Sequence, residues 1–224
     1  MTDRDPTVAS HYRGAAADEY LAYQRSIGEL GATLNRWKFE SHVGPGDRVV
    51  DFGCGTGGLL AGLAAAERIG VEVSAPARAA AAARGLTVLA TAAELADASA
   101  DVVISNHALE HATAPLEELR QLRRALRPGG RLVLWLPLDD WRVQRRLDGA
   151  DPDHHLYTWT PRLLANLLAE AGFERVECEV VTRAWPPRAH LLVRLPRPVF
   201  DALGRVWAVV RRRRQLAAVA YRTS

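Results

Sequence analysis

A chain of 224 residues with 48% hydrophobic content can bury one substantial α/β core, and its net charge of +3 is small for that length. It has no apolar run of the ~18 residues that a bilayer span needs. The opening Met1-Thr2-Asp3-Arg4-Asp5 lacks the apolar core of a secretory signal, so the expected location is the cytoplasm. Two cysteines, Cys54 and Cys178, are too few for a disulfide framework or a zinc site. Lys38 is the only lysine among 29 basic residues, a bias that with the alanine abundance reads as the base composition of the gene.

Residues 1–12 read as loosely docked, and two helical stretches follow at 15–27 and 30–43. Gly44-Pro45-Gly46-Asp47 then turns the chain into a first strand over 48–52. A glycine-rich turn comes next, with a helix expected over 59–66. A second strand over 68–73 carries Glu72, and Gly85 introduces a third over 86–90. The fourth, 101–105, is apolar throughout, as suits a strand covered on both faces. A helix over 114–126 meets the breakers Arg127-Pro128-Gly129-Gly130, and a strand over 131–136 follows. The polar stretch 137–158 is too long for a plain connector and is a candidate functional loop. Thr160 is placed to cap a helix that begins with Pro161 and runs to 171. Strands over 175–181 and 215–222 bracket a basic segment. This alternation predicts an α/β fold with a doubly wound, mainly parallel sheet.

The densest signal is Val49-Val50-Asp51-Phe52-Gly53-Cys54-Gly55-Thr56-Gly57-Gly58. Glycine allows a sharp turn after a buried strand and close approach of backbone to a ligand. Gly53-x-Gly55-x-x-Gly58 also fits a dinucleotide fingerprint. Against NAD stands Asp51, because a carboxylate gains nothing beside a pyrophosphate yet can bind a cationic amino-acid group. Glu72 follows Asp51 by 21 residues and offers a carboxylate that can accept from both hydroxyls of a ribose.

The run from Asp51 to Gly57 closely resembles motif I of the class I S-adenosylmethionine (SAM) dependent methyltransferases, of the small-molecule, type 11-like group. Gly70-Val71-Glu72 is similar to that family's second-strand end. Asp101-Val102-Val103-Ile104-Ser105-Asn106-His107-Ala108-Leu109-Glu110-His111 resembles its fourth-strand motif. Leu126 to Leu132, and His155-Leu156-Tyr157 through Ala171-Gly172-Phe173, resemble the regions that follow. The resemblance covers residues 47–173 and the final strand. It implies seven strands in the order 3-2-1-4-5-7-6 with the last antiparallel, and SAM as the cofactor. Asp51, Gly53 and Gly55 would then wrap the methionine part, and Glu72 would hold the ribose. The usual adenine-side acid is missing, so Ala93 or Glu94 is expected there. Asn106 would meet the amino-acid part of SAM or the substrate. His11, Tyr12, Tyr20, Tyr23 and Arg25 resemble lid helices, with Tyr12 and Arg25 as candidate SAM contacts; aromatic packing on the sheet is the alternative.

His107 and His111 lie four apart beyond the fourth strand. Either is a proton acceptor near the methyl group, or Leu109-Glu110-His111 opens the next helix; the structural reading is preferred for His111. Asp151-Pro152-Asp153-His154-His155 concentrates two acids and two imidazoles, but consecutive residues rarely direct their side chains to one ion, so no metal is expected. His154 or His155 instead lines the acceptor pocket and takes the hydroxyl proton, for which an imidazole pKa near 6.5 is suited.

Nine arginines and one acid, Asp201, give residues 183–214 a charge of +8 and leave −5 on the rest. Within 198–210, Val199, Leu203, Val206, Trp207 and Val210 share a helix face, which either packs on the domain, the preferred expectation, or lies on an anionic membrane. The division expected is a helical lid over 1–43, a core of 44–182 and 215–224, and a basic amphipathic insertion over 183–214. The function expected is methyl transfer, most simply to oxygen, on a small or lipid- or glycan-linked anionic acceptor, with peripheral contact at the inner membrane surface. The alternatives are an RNA methyltransferase, an NAD-dependent oxidoreductase and a catalytically silent interaction module. Nucleic acid is the less expected partner, since Asn106 is followed by His-Ala-Leu rather than the Pro-Pro-aromatic motif of amino-methylating DNA enzymes.

Overall fold

The computed structural model describes residues 28–138 and 154–223. Among them, seven strands form one sheet: β1 (Arg48–Phe52), β2 (Glu67–Val71), β3 (Thr87–Leu89), β4 (Ala100–Asn106), β5 (Leu126–Leu138), β6 (Glu174–Val181) and β7 (Arg214–Tyr221). Their order is β3-β2-β1-β4-β5-β7-β6, as the resemblance implied. β1, β2, β3, β4 and β5 pair in parallel, and β7 runs antiparallel between β5 and β6. β6 therefore points the same way as β1 and β4, and its end at Val181 lies on the edge where those strands finish.

Alternation along the central strands divides the core into two layers. Val50, Val103, Leu132 and Leu134 face one side with Leu119, Leu122, Leu164 and Leu168. Val49, Val102, Val133 and Trp135 face the other with Phe39, Leu60 and Leu63. The first layer is covered by α4 (Pro115–Ala125) and α5 (Pro161–Glu170). Thr160 caps α5 as expected, its hydroxyl accepting from the Leu163 amide at 3.2 Å.

Three local readings are corrected, and one element is added. The helix after the glycine turn, α2, is one turn long (Gly58–Ala61), because Gly62 ends it and the Ala66 amide is already bonded to Asp47. The stretch 30–43 is not one helix: the helical residues 28–35 (α1) give way to 3-10 turns at Arg36–Lys38 and Glu40–His42. The tighter turns bring Lys38 and Phe39 inward. Arg127–Gly130 does not separate helix from strand; it is absorbed into β5, with a register shift against β4 between Ala100 and Val102. Finally, α3 (Ala75–Ala82), capped by Ser74, is a helix that the alanine-rich sequence did not reveal. Between β6 and β7 the chain forms α6 (Ala189–Leu192) and α7 (Arg197–Val210).

Candidate active site

The turn after β1 holds three glycines at positive φ: Gly53 at 77°, Gly55 at 54° and Gly57 at 77°. A Cβ on Gly53 would stand 2.3 Å from the Ala108 Cβ, and one on Gly57 would stand 2.5 Å from Leu86. Gly53 is closed to a larger residue by both torsion and space, and Gly57 chiefly by its torsion, since the Leu86 side chain can give way. The Gly53–Ala108 approach also locks the turn after β1 against the loop after β4. Cys54 fills the space above Gly70, where an added Cβ would meet its Sγ at 2.5 Å.

Glu72 follows β2 and is buried. Its Oε2 accepts from the Gly55 amide at 2.9 Å and its Oε1 from the Ser74 amide at 2.8 Å. The carboxylate thus braces the glycine turn, and each oxygen keeps a lone pair for a further donor. Burial raises the Glu72 pKa, and the Ser74 and Gly55 amides oppose that rise. Asp51, at the end of β1, is also buried; burial and then the Glu72 charge push its pKa up to about 7. Two buried carboxylates beside a constricted glycine turn form a cradle whose chemistry suits a cationic amino acid and a ribose, so the residues present fit SAM.

Toward the expected adenine end, Glu94 is already engaged. It closes a capping box with Thr91 over the turn Ala92–Glu94, its Oε1 accepting from the amides of Ala90 and Thr91 at 3.0 and 2.9 Å. Ala93 is exposed beside it, and its carbonyl accepts from Arg124 at 3.2 Å. Tyr12 and Arg25 lie outside the described residues, as do Asp151 and Asp153.

At the end of β4 stands a group that sequence reasoning missed. Lys38 Nζ donates to Asn106 Oδ1 at 2.8 Å and to Gln215 Oε1 at 2.6 Å, and lies 4.9 Å from the centre of the Trp135 ring. Burial brings its ammonium down to about 7, against the opposing charge of Glu110 and with help from Arg183. The one available signal was compositional: this is the single lysine of an arginine-rich chain. Gln215 also meets His107 Nε2 at 3.1 Å. Burial first, and then Lys38, hold His107 down to about 3. Both influences favour the neutral imidazole.

Glu110, fully buried, is approached by three imidazoles: His107 Nδ1 at 3.9 Å, His111 Nε2 at 4.0 Å and His155 Nε2 at 4.0 Å. The rings of His111 and His155 meet edge to face with centroids 5.1 Å apart. Donor atoms of Glu110, His111 and His155 all lie within 4.8 Å of one another, a set able to hold a divalent ion. It joins His155, from the 151–155 cluster in which a metal was considered, to Glu110 and His111 from the segment after β4. The Glu110 carbonyl accepts from the amides of Leu156 and Tyr157, and His111 meets the His154 carbonyl at 3.3 Å. Leu109-Glu110-His111 thus holds residues 154–157 beside the end of β4; it forms an isolated 3-10 turn and does not open the next helix, which begins at Pro115. His154 joins this contact through its backbone, while His155 faces Glu110.

Beyond Lys38 opens a pocket whose lining includes Trp37, Arg183, Trp185, Phe200, Asp201 and Gln215. Asp201 bridges Arg183 at 2.5 Å and Arg197 at 3.1 Å, and Arg183 stacks over Trp37 at 4.0 Å. Gly204 lets α7 pass against the chain leaving β6; a Cβ there would lie 2.8 Å from the Ala184 carbonyl oxygen.

A family model described as a methyltransferase domain matches residues 16–178. The chain is 26% identical over 150 residues to the Bos taurus protein named probable tRNA methyltransferase 9B, covering 63% of this chain and 32% of that protein. It spans about a third of the length of the curated relatives it matches. Among solved structures, Haemonchus contortus phosphoethanolamine N-methyltransferase 2, determined with SAM, superposes with a TM-score of 0.60 at 17% identity, over 90% of this chain and 59% of that one. A SAM-dependent methyltransferase from Archaeoglobus fulgidus gives 0.64 at 20% identity, over 90% and 99%. At these identities the structural likeness concerns the fold.

Proposed function

The chain belongs to the methyltransferase-domain family, and from that membership we propose that it transfers the methyl group of SAM to an oxygen of an anionic acceptor, small or carried on a lipid or glycan. SAM supplies a methyl group already activated on a sulfonium. What the chain must add is position, exclusion of water and, for a hydroxyl acceptor, a place for the proton.

The observation that carries this reading is one edge of the sheet. The glycine turn of β1, Glu72 after β2 and Asn106 at the end of β4 line it, and Lys38 bonds to Asn106. Ligands bind on this edge in open α/β sheets. Asp51, ionised when the cationic amino-acid group arrives, pairs with that group, and Glu72 offers hydrogen-bond acceptors to the ribose. Asn106 joins that side to the acceptor side. With a pKa of about 7, Lys38 exists in part as the free amine at neutral pH and takes the acceptor's proton. Arg183, lining the adjoining pocket, meets the acceptor's anionic group. His155 is retained as an acceptor-side residue and His154 as a loop contact.

Calorimetric titration with SAM, S-adenosylhomocysteine and NADH tests the donor assignment. Binding of the first two and not the third is expected; binding of NADH alone, or no binding by any, refutes it. Transfer of labelled methyl from SAM into lipid, glycan and tRNA fractions then tests the acceptor. Label confined to tRNA would move the assignment to RNA, the second reading, which the arginine run and the relative named for tRNA favour.

A further inference from the structure

Among the described residues, twelve large apolar side chains are exposed, and eight of them lie between Leu191 and Val210. That concentration comes from the way α7 packs. Its buried residues are Phe200, Gly204 and Ala208, one turn apart each. At ~100° per residue, Val199, Leu203, Val206, Val209 and Val210 fall within an arc of about 120° on the opposite side. Val206, Val209 and Val210 are 63%, 66% and 69% exposed. The face expected to pack on the domain is therefore the outer one, and the helix carries a second apolar face turned to solvent.

Arginine surrounds this face. Arg188 and Arg194 precede α7, Arg205 flanks its strip, and Arg211 to Arg214 follow it, all exposed. Asp201, the sole acid of the segment, is engaged by Arg183 and Arg197. A convex apolar strip rimmed by cations matches the boundary of an anionic bilayer: the valines enter the acyl edge and the arginines meet phosphates. The same charge disfavours a second copy of the chain as the occupant, since two segments of +8 would meet.

We propose that the outer face of α6 and α7, with its flanking arginines, docks the protein on an anionic lipid surface. The inner face of α7 lines the pocket next to Lys38, so the pocket lies about one helix diameter, ~10 Å, from the lipid plane. The docking surface does not depend on methyl transfer. Combined with that activity, it names a lipid-linked anion as the acceptor class.

The test is co-sedimentation of the full chain with vesicles of phosphatidylcholine alone and of phosphatidylcholine with about 30 mol% phosphatidylglycerol. Binding to the second and not the first is expected, weakening as salt rises. Val206→Glu with Val210→Glu, and separately Arg211 to Arg214 each changed to Gln, should each lower vesicle affinity at least about tenfold. The melting temperature and its rise with SAM should stay as in the unaltered chain, which separates failure of docking from failure of the methyl-donor assignment. Hydrogen exchange on the unaltered chain supplies a measurement that needs no variant, with vesicle-induced protection expected across 189–214. Absence of binding to anionic vesicles, protection confined to other segments, unchanged binding by both variants, or a lipid-free dimer that Val206→Glu abolishes would each overturn the proposal.

Discussion

Asp51→Asn is expected to stabilise the protein while impairing its binding of SAM, and the stabilisation should depend on pH in a calculable way. Folding raises the Asp51 pKa from 3.8 to about 7, burial acting first and the Glu72 charge second. The unfolded chain thus releases the Asp51 proton near pH 4, whereas the folded chain keeps it until about pH 7. Between those values the native state holds more protons, so ionisation erodes stability as pH rises. At roughly 1.4 kcal/mol per pKa unit, the loss is about 2 kcal/mol at pH 5 and about 4 kcal/mol by pH 8. Asparagine is nearly isosteric and does not ionise, so its advantage over the native residue should widen by about 2–3 kcal/mol between pH 5 and pH 8. For a chain of this size that is a relative gain of about 5–10 °C in melting temperature. Scanning calorimetry of both proteins at the two pH values, at fixed ionic strength and without SAM, makes the comparison. Parallel melting curves, or an advantage that shrinks as pH rises, would refute the assignment of Asp51 as a buried carboxyl that folding holds protonated.

Glu72→Ala should reduce SAM affinity more than about tenfold, because the Gly55 and Ser74 amides lose their shared acceptor; Glu72→Gln should not restore it, since one amide would then face an NH2 group. Gly53→Ala forces a Cβ against Ala108 at positive φ, and a loss of about 2–4 kcal/mol is expected by denaturant titration. Lys38→Met should lower kcat about 100-fold. In the native enzyme, activity should rise through about pH 7 as the amine loses its proton, and this limb should be missing from the residual rate of the variant. His107→Asn should leave that limb in place, since His107 is already neutral there.

The features legible in the sequence were those that local pattern determines. β1 occupies the residues its apolar run specified, and Thr160 with Pro161 opens α5, because a strand buried on both faces and a capped helix start are short-range signals. Helix α3 escaped notice because nearly uniform alanine gives no contrast between faces. Lys38 was unreadable as a site residue: its partners Asn106 and Gln215 lie 68 and 177 residues away. His107 and His155 were singled out separately, with nothing in the sequence to join them, and the buried Glu110 that both approach resembled an ordinary helix-start acid. In α7 periodicity found an apolar face and not its direction. Large residues drew attention to one side, while the small Gly204 and Ala208 allowed closer packing on the other.

Gly204 has a mechanical meaning. Within a helix it costs about 1 kcal/mol relative to alanine, and in return the backbone of α7 rests on the backbone at Ala184 with no side chain between them. A joint of that kind has no gear to slip. α7 is thereby coupled to the chain that leaves β6, and the two are expected to move together. Whatever supports its outer surface sets the tilt of the entire sheet, and with it the bearing along which an acceptor must enter.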